Sequence, residues 1–144
     1  MMLADWKGLL SNFECRAPAD DSAIRRFEQE SGDCLPEDYK QFLRHSDGGQ
    51  GFVLSSAYLI LWPVEQLLEM NKAYEVAEYA PGLVLFGSDG GGEALAFDMR
   101  SDAKPVVVVP FVGMDLDAIW PVAATFKSFL VIPKESWGPH VDTR

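Results

Sequence analysis

Residues 83–98, Leu-Val-Leu-Phe-Gly-Ser-Asp-Gly-Gly-Gly-Glu-Ala-Leu-Ala-Phe-Asp, constrain this chain more than any other stretch. Two apolar runs, 83–86 and 94–97, flank a connection, and the stretch holds four of the chain's twelve glycines. Strands apolar at every position need cover on both faces, and glycine lets the backbone turn through positive φ without a Cβ clash. The pattern predicts a β-hairpin at the centre of a sheet, with covering helices and edge strands before it and one more strand and a closing helix after it. A phosphate cradle is the competing reading of the glycines. Such a loop feeds a helix N-terminus, whereas this one leads into another strand and carries Asp89 and Glu93, which repel phosphate.

The flanking segments supply the layers. Leu3, Trp6, Leu9, Leu10 and Phe13 form one stripe of an N-terminal helix, expected to pack as a flap over residues 1–19. A second helix starts at 20–22, where short polar side chains cap free N–H groups, buries Ile24 and Phe27, and stops at Gly32. Leu35-Pro36-Glu37-Asp38-Tyr39 opens a third, with proline and acids suited to a helix start and Tyr39, Phe42 and Leu43 facing inward. The cluster Asp47-Gly48-Gly49-Gln50-Gly51 is a turn leading to strands at 52–54 and 58–62. Pro63 opens a further helix with Val64, Leu67, Leu68, Asn71 and Tyr74 on one stripe and Glu65, Glu69 and Lys72 opposite. Residues 106–109 form a third strand of the hairpin's sheet. Pro121 opens the last helix, burying Val122, Phe126, Phe129 and Leu130, and residues 132–144 are a tail expected to fray.

At 144 residues the chain has the length of one domain, able to bury roughly two thirds of its unfolded surface. Its longest apolar runs fall well short of the ~20 residues of a spanning helix. The N-terminal segment lacks an apolar stretch of signal-peptide length, so a cytoplasmic location is expected. Net charge −10 repels nucleic acid and anionic membranes and attracts basic partners. The excess is concentrated: residues 63–98 hold seven acids (Glu65, Glu69, Glu75, Glu78, Asp89, Glu93, Asp98) against one base, Lys72. A charge run of this kind is either a solvated helix face or a docking surface for a cationic protein.

No residue set announces catalysis. Asp89, Glu93, Asp98 and Asp102 lack the spacing of a calcium loop. Asp115 and Asp117, two apart, have no visible second wall to separate their pKa values. His45 and His140 offer no base for a serine, and no second ligand stands at metal spacing from His45. Cys15 and Cys34 are too far apart in sequence for a metal pair, and Cys34 beside a helix start reads as a small packing residue. No catalytic, metal-binding or cofactor-binding residue is therefore assigned.

The order of motifs resembles a known family. Ile24-Arg25-Arg26-Phe27-Glu28 with Leu35-Pro36-Glu37-Asp38-Tyr39-Lys40-Gln41-Phe42-Leu43, followed by Ser46-Asp47-Gly48-Gly49, is similar to the opening of SUKH superfamily domains of the Smi/Knr type. So are Leu85-Phe86-Gly87-Ser88-Asp89-Gly90-Gly91-Gly92-Glu93 with Ala96-Phe97-Asp98, and Val122-Ala123 with Thr125-Phe126-Lys127-Ser128-Phe129-Leu130. Together they cover residues 20–131. One departure is Asp47, where members commonly have asparagine; aspartate fills the same turn position. The resemblance implies an α+β fold, a central antiparallel sheet flanked by helices, and no catalytic residues. In bacteria such domains are immunity proteins that neutralise toxins, many of them nucleases; in fungi, relatives regulate cell-wall assembly through protein contacts. The expectation is a non-enzymatic inhibitor of a basic toxin, contacting it through Glu65, Glu69, Glu75, Asp89, Glu93, Asp115 and Asp117. The alternative is an intracellular regulatory adaptor that docks partners in an apolar groove.

Overall fold

The computed structural model describes residues 6–54 and 57–137. The fold is α+β in a single domain. Seven strands run as one antiparallel meander in sequence order: β1 (Asn12–Cys15), β2 (Gly49–Phe52), β3 (Tyr58–Leu61), β4 (Leu83–Ser88), β5 (Glu93–Asp98), β6 (Val106–Pro110) and β7 (Trp120–Ala123). The expected hairpin is β4–β5, the fourth and fifth strands, and every residue of β4 is buried. In its turn the Asp89 carboxylate accepts the Gly91 and Glu93 N–H groups at 2.8 and 3.2 Å, and Gly90 takes φ 84°.

The helices are α1 (Trp6–Leu9), α2 (Asp21–Ser31), α3 (Glu37–His45), α4 (Leu67–Ala73), α5 (Val76–Tyr79) and α6 (Phe126–Phe129). Tyr39 and Phe42 of α3 meet Phe126 of α6 at ring separations of 5.1 and 5.2 Å, and Tyr39 reaches Phe86 and Phe97 across the hairpin at 5.5 and 5.0 Å. These rings are almost wholly buried and form the centre of the core. Helix α2 ends at Gly32 as expected, with the Gly32 N–H returning to Glu28 O. Its N-cap is Asp20, whose backbone carbonyl rather than its side chain accepts the first N–H groups.

Five expectations need correction. Residues 49–51, expected in a turn, are strand, and the strand expected at 52–54 is instead β2, ending at Phe52. The N-terminal helix stops at Leu9, and Phe13 belongs to β1. Trp6, Leu9, Leu10 and Phe13 reach the core by a helical turn followed by a strand, and Gly49 and Gly51 of β2 leave room where β1 pairs with it. A Cβ on Gly49 would stand 2.5 Å from both the Glu14 carbonyl and the Phe13 ring, and Gly49 has φ 132°. The helix expected from Pro63 is a 3-10 turn (Val64–Gln66) followed by α4 and α5, separated at Glu75, which takes left-handed angles of φ 54°, ψ 45°. Pro121 lies in β7 instead of opening a helix. It is paired in register with Val107 at the edge of the sheet, where proline's missing N–H is tolerated. The last helix starts instead at Phe126, behind a reciprocal Thr125–Ser128 capping box. Finally, the chain is packed through Trp137, whose ring is buried 5.3 Å from Phe129. The rest of the expected tail, like Leu3 and His140, lies outside the described residues.

Candidate partner-binding surface

The acids that the sequence singles out are not brought together. Glu65, Glu69 and Glu75 are exposed along the segment that runs through the 3-10 turn, α4 and the bend before α5. Glu93 and Asp117 lie elsewhere, both lining a recess of about 420 Å³ with Val108 and Trp120 at the β6–β7 end of the sheet. Asp115 is exposed beside them, and its carboxylate accepts the Asp117 N–H at 2.8 Å, capping a short 3-10 turn. Asp89 departs from the expectation of an outward charge. Its side chain is 4% exposed and is paired with Lys134 Nζ at 2.9 Å. Burial pushes its carboxyl upward, but the Lys134 ammonium and the Gly91 and Glu93 N–H groups outweigh that and hold it below the usual carboxylate range. Asp89 is thus a structural anion that fixes the hairpin turn and ties residues 134–137 to it.

The segment carrying Glu65, Glu69 and Glu75 is held to the sheet by Asn71. β3 meets β4 only at Ile60↔Ser88 and Leu61↔Gly87, so Leu85 has no strand on that side. The Asn71 carboxamide replaces one: its Oδ1 accepts Leu85 N–H at 2.9 Å, and its Nδ2 donates to Leu85 O at 3.1 Å and to Leu67 O at 2.8 Å. At the start of the segment Asp47 Oδ1 accepts the Val64 N–H at 2.8 Å. Burial pushes the Asp47 carboxyl upward, against the opposing effects of that hydrogen bond and of Arg16.

Anchoring the segment in this way opens a groove of about 530 Å³ between α2, the α4–α5 bend and the start of β4. Phe27, Leu68, Val76, Leu83 and Val84 supply apolar lining, while Asp33, Glu75 and Glu78 bring three acids against one base, Lys72. A smaller recess of about 280 Å³ shares Phe27 and Leu68 with it and adds Glu30, Glu65 and Arg26. The two continue each other along the seam between α2 and α4. Asp33 and Glu30 were not singled out by sequence reasoning, since they lie well before the acidic run and only the packing of α2 on α4 unites them with it. In the groove the Ser31 hydroxyl oxygen is occupied by the Asp33 N–H at 3.0 Å. Among the described residues no three histidine, cysteine or acidic side chains form a group that could hold a metal ion. None of the described helices is long and apolar enough to cross a membrane.

The fold is a seven-stranded antiparallel meander backed by an aromatic core. The profile of the SMI1 / KNR4 family (SUKH-1) matches residues 18–131, most of the chain, and the chain belongs to that family. Members are in general non-enzymatic binding proteins, of the immunity-protein or cell-wall-regulator type. Among curated proteins nothing matches the chain.

Proposed function

We propose that the protein is a non-enzymatic immunity protein that binds and neutralises a cognate, basic, nuclease-type toxin in the cytoplasm. The observation that carries this reading is the seam between α2 and α4–α5, where Glu30, Asp33, Glu65, Glu75 and Glu78 border an apolar lining. Enzymes that cleave nucleic acid are usually cationic, because their substrate is a polyanion. A negative surface of this kind is complementary to their active-site face and blocks access to it. Complementary potentials raise encounter rates from a neutral ~10⁵–10⁶ M⁻¹s⁻¹ toward ~10⁸ M⁻¹s⁻¹ at low salt. Expressed with the product of the gene immediately upstream of its own, the chain is expected to bind that product with a rate that falls steeply with ionic strength. A rate that is flat from low to high salt contradicts the proposal.

The apolar lining of the same groove supports a second reading, a regulatory adaptor that docks a partner domain mainly by burying apolar surface. Charge reversal at Glu65 and Glu69 separates the two: it slows binding under the first reading and leaves it unchanged under the second.

A further inference from the structure

An apolar slot with a negative rim is selective for one kind of side chain. Phe27, Leu68 and Leu83 line the groove without offering a hydrogen-bonding side chain, while Asp33, Glu75 and Glu78 also line it and outnumber its one base, Lys72. The carboxamide of Asn71, which also lines the groove, is already committed to Leu67 and Leu85. An apolar side chain entering the groove would satisfy the lining and leave the charge of the rim acids unused. An acidic one would be repelled. A lysine ammonium is compact and strongly hydrated, whereas arginine joins a long aliphatic stem to a weakly hydrated planar cation that engages carboxylates through two hydrogen bonds at once.

The backbone of the rim is also fixed in advance. Glu75 is held in left-handed geometry with its N–H bonded to Lys72 O at 3.0 Å, and its carbonyl accepts the Glu78 and Tyr79 N–H groups at 3.0 Å. The bend that carries two of the three acids is therefore set without a ligand, which lowers the ordering cost of binding. We infer that the groove between α2 and the α4–α5 bend receives an arginine side chain projected by the partner protein. This rests on the partner-binding reading above and names the contact made at that site.

The test uses the full chain, isotope-labelled, with N-acetyl-arginine amide as probe and N-acetyl-citrulline amide, which has nearly the same shape and no charge, as its control. Saturable shifts in the backbone amide spectrum are expected at Leu68, Val76, Glu78 and Leu83 with the arginine probe. They should be absent with citrulline, and Glu93 and Asp117 should not move. In the double variant Glu75→Gln and Glu78→Gln, which keeps side-chain shape, affinity for the probe should fall about fivefold or more with the rest of the spectrum unchanged. Equal shifts with citrulline, shifts shared evenly with Glu93 and Asp117, no shifts at all, or full retention in the folded double variant each overturn the inference. No toxin enters this measurement. A chain that protects cells but fails the titration loses the arginine site and keeps the immunity reading; one that passes the titration but does not protect cells loses the reading instead.

Discussion

Replacing Asn71 with alanine tests the link between the sheet and the acidic segment. Leu85 is fully buried, and its N–H and C=O on the side facing α4 are satisfied by Asn71 alone among the hydrogen bonds described above. Alanine leaves both groups without a partner where water enters poorly. Each unsatisfied buried backbone group costs ~1–3 kcal/mol, so the variant is expected to lose roughly 2–6 kcal/mol. For a domain of this length about 1 kcal/mol corresponds to ~4 °C, which places the fall in melting temperature at roughly 8–24 °C. Thermal scans and urea melts read this directly, with Lys72→Ala, one residue along and exposed, as a control expected within about 0.5 kcal/mol of the parent. Asn71→Asp keeps the acceptor for Leu85 N–H but sets a carboxylate against Leu85 O, and should be at least as damaging as alanine. An Asn71→Ala variant that melts within about 2 °C of the parent would refute the surrogate-strand role.

Two pH-dependent outcomes follow from the other anchors. Burial raises the Asp47 carboxyl in the folded state, so the native protein holds that proton more tightly than the unfolded chain does, and stability falls as pH rises from the unfolded value of ~3.9 through the native one. Asp47→Asn keeps an oxygen acceptor for Val64 N–H and removes the buried charge; urea melts should show it more stable than the parent at pH 7 and not at pH 3. Asp89 has the opposite sign. Its carboxyl is held low in the native state, so its contribution is present above ~3.9 and lost as pH falls through the native value. Lys134→Met removes its ammonium partner and should move the midpoint of acid unfolding to higher pH, whereas an unchanged midpoint would show that the pair contributes nothing.

The parts of this fold legible in the sequence are those specified by neighbours along the chain. The β4–β5 hairpin, β6, α2 with its stop at Gly32 and the start of α3 all carry local signals, either an apolar run, a cap or a proline. Glu75 carries none: nothing nearby marks it for left-handed geometry, which is imposed by the packing of α4 and α5 on β4. Pro121 carries a misleading one, because the residue that suits a helix start also suits a sheet edge, and only the register with Val107 decides between them. The candidate surface was legible as excess charge but not as geometry. Asp89 looks like any other acid of the run until Lys134, forty-five residues later, is placed beside it. Asp33 and Glu30 lie well before the run, yet α2 brings them to its side of the molecule.

The central claim is that fixed negative charge along the α2 and α4–α5 seam disarms a cationic partner. Growth of cells producing the product of the upstream gene tests it most directly, in the presence of the parent chain and of a Glu65→Lys, Glu69→Lys, Glu78→Lys variant whose melting temperature matches the parent's. The account predicts that the parent relieves growth arrest and co-purifies with that product while the charge-reversed variant does neither. Equal protection by the two chains, or arrest that the parent does not relieve, would contradict it.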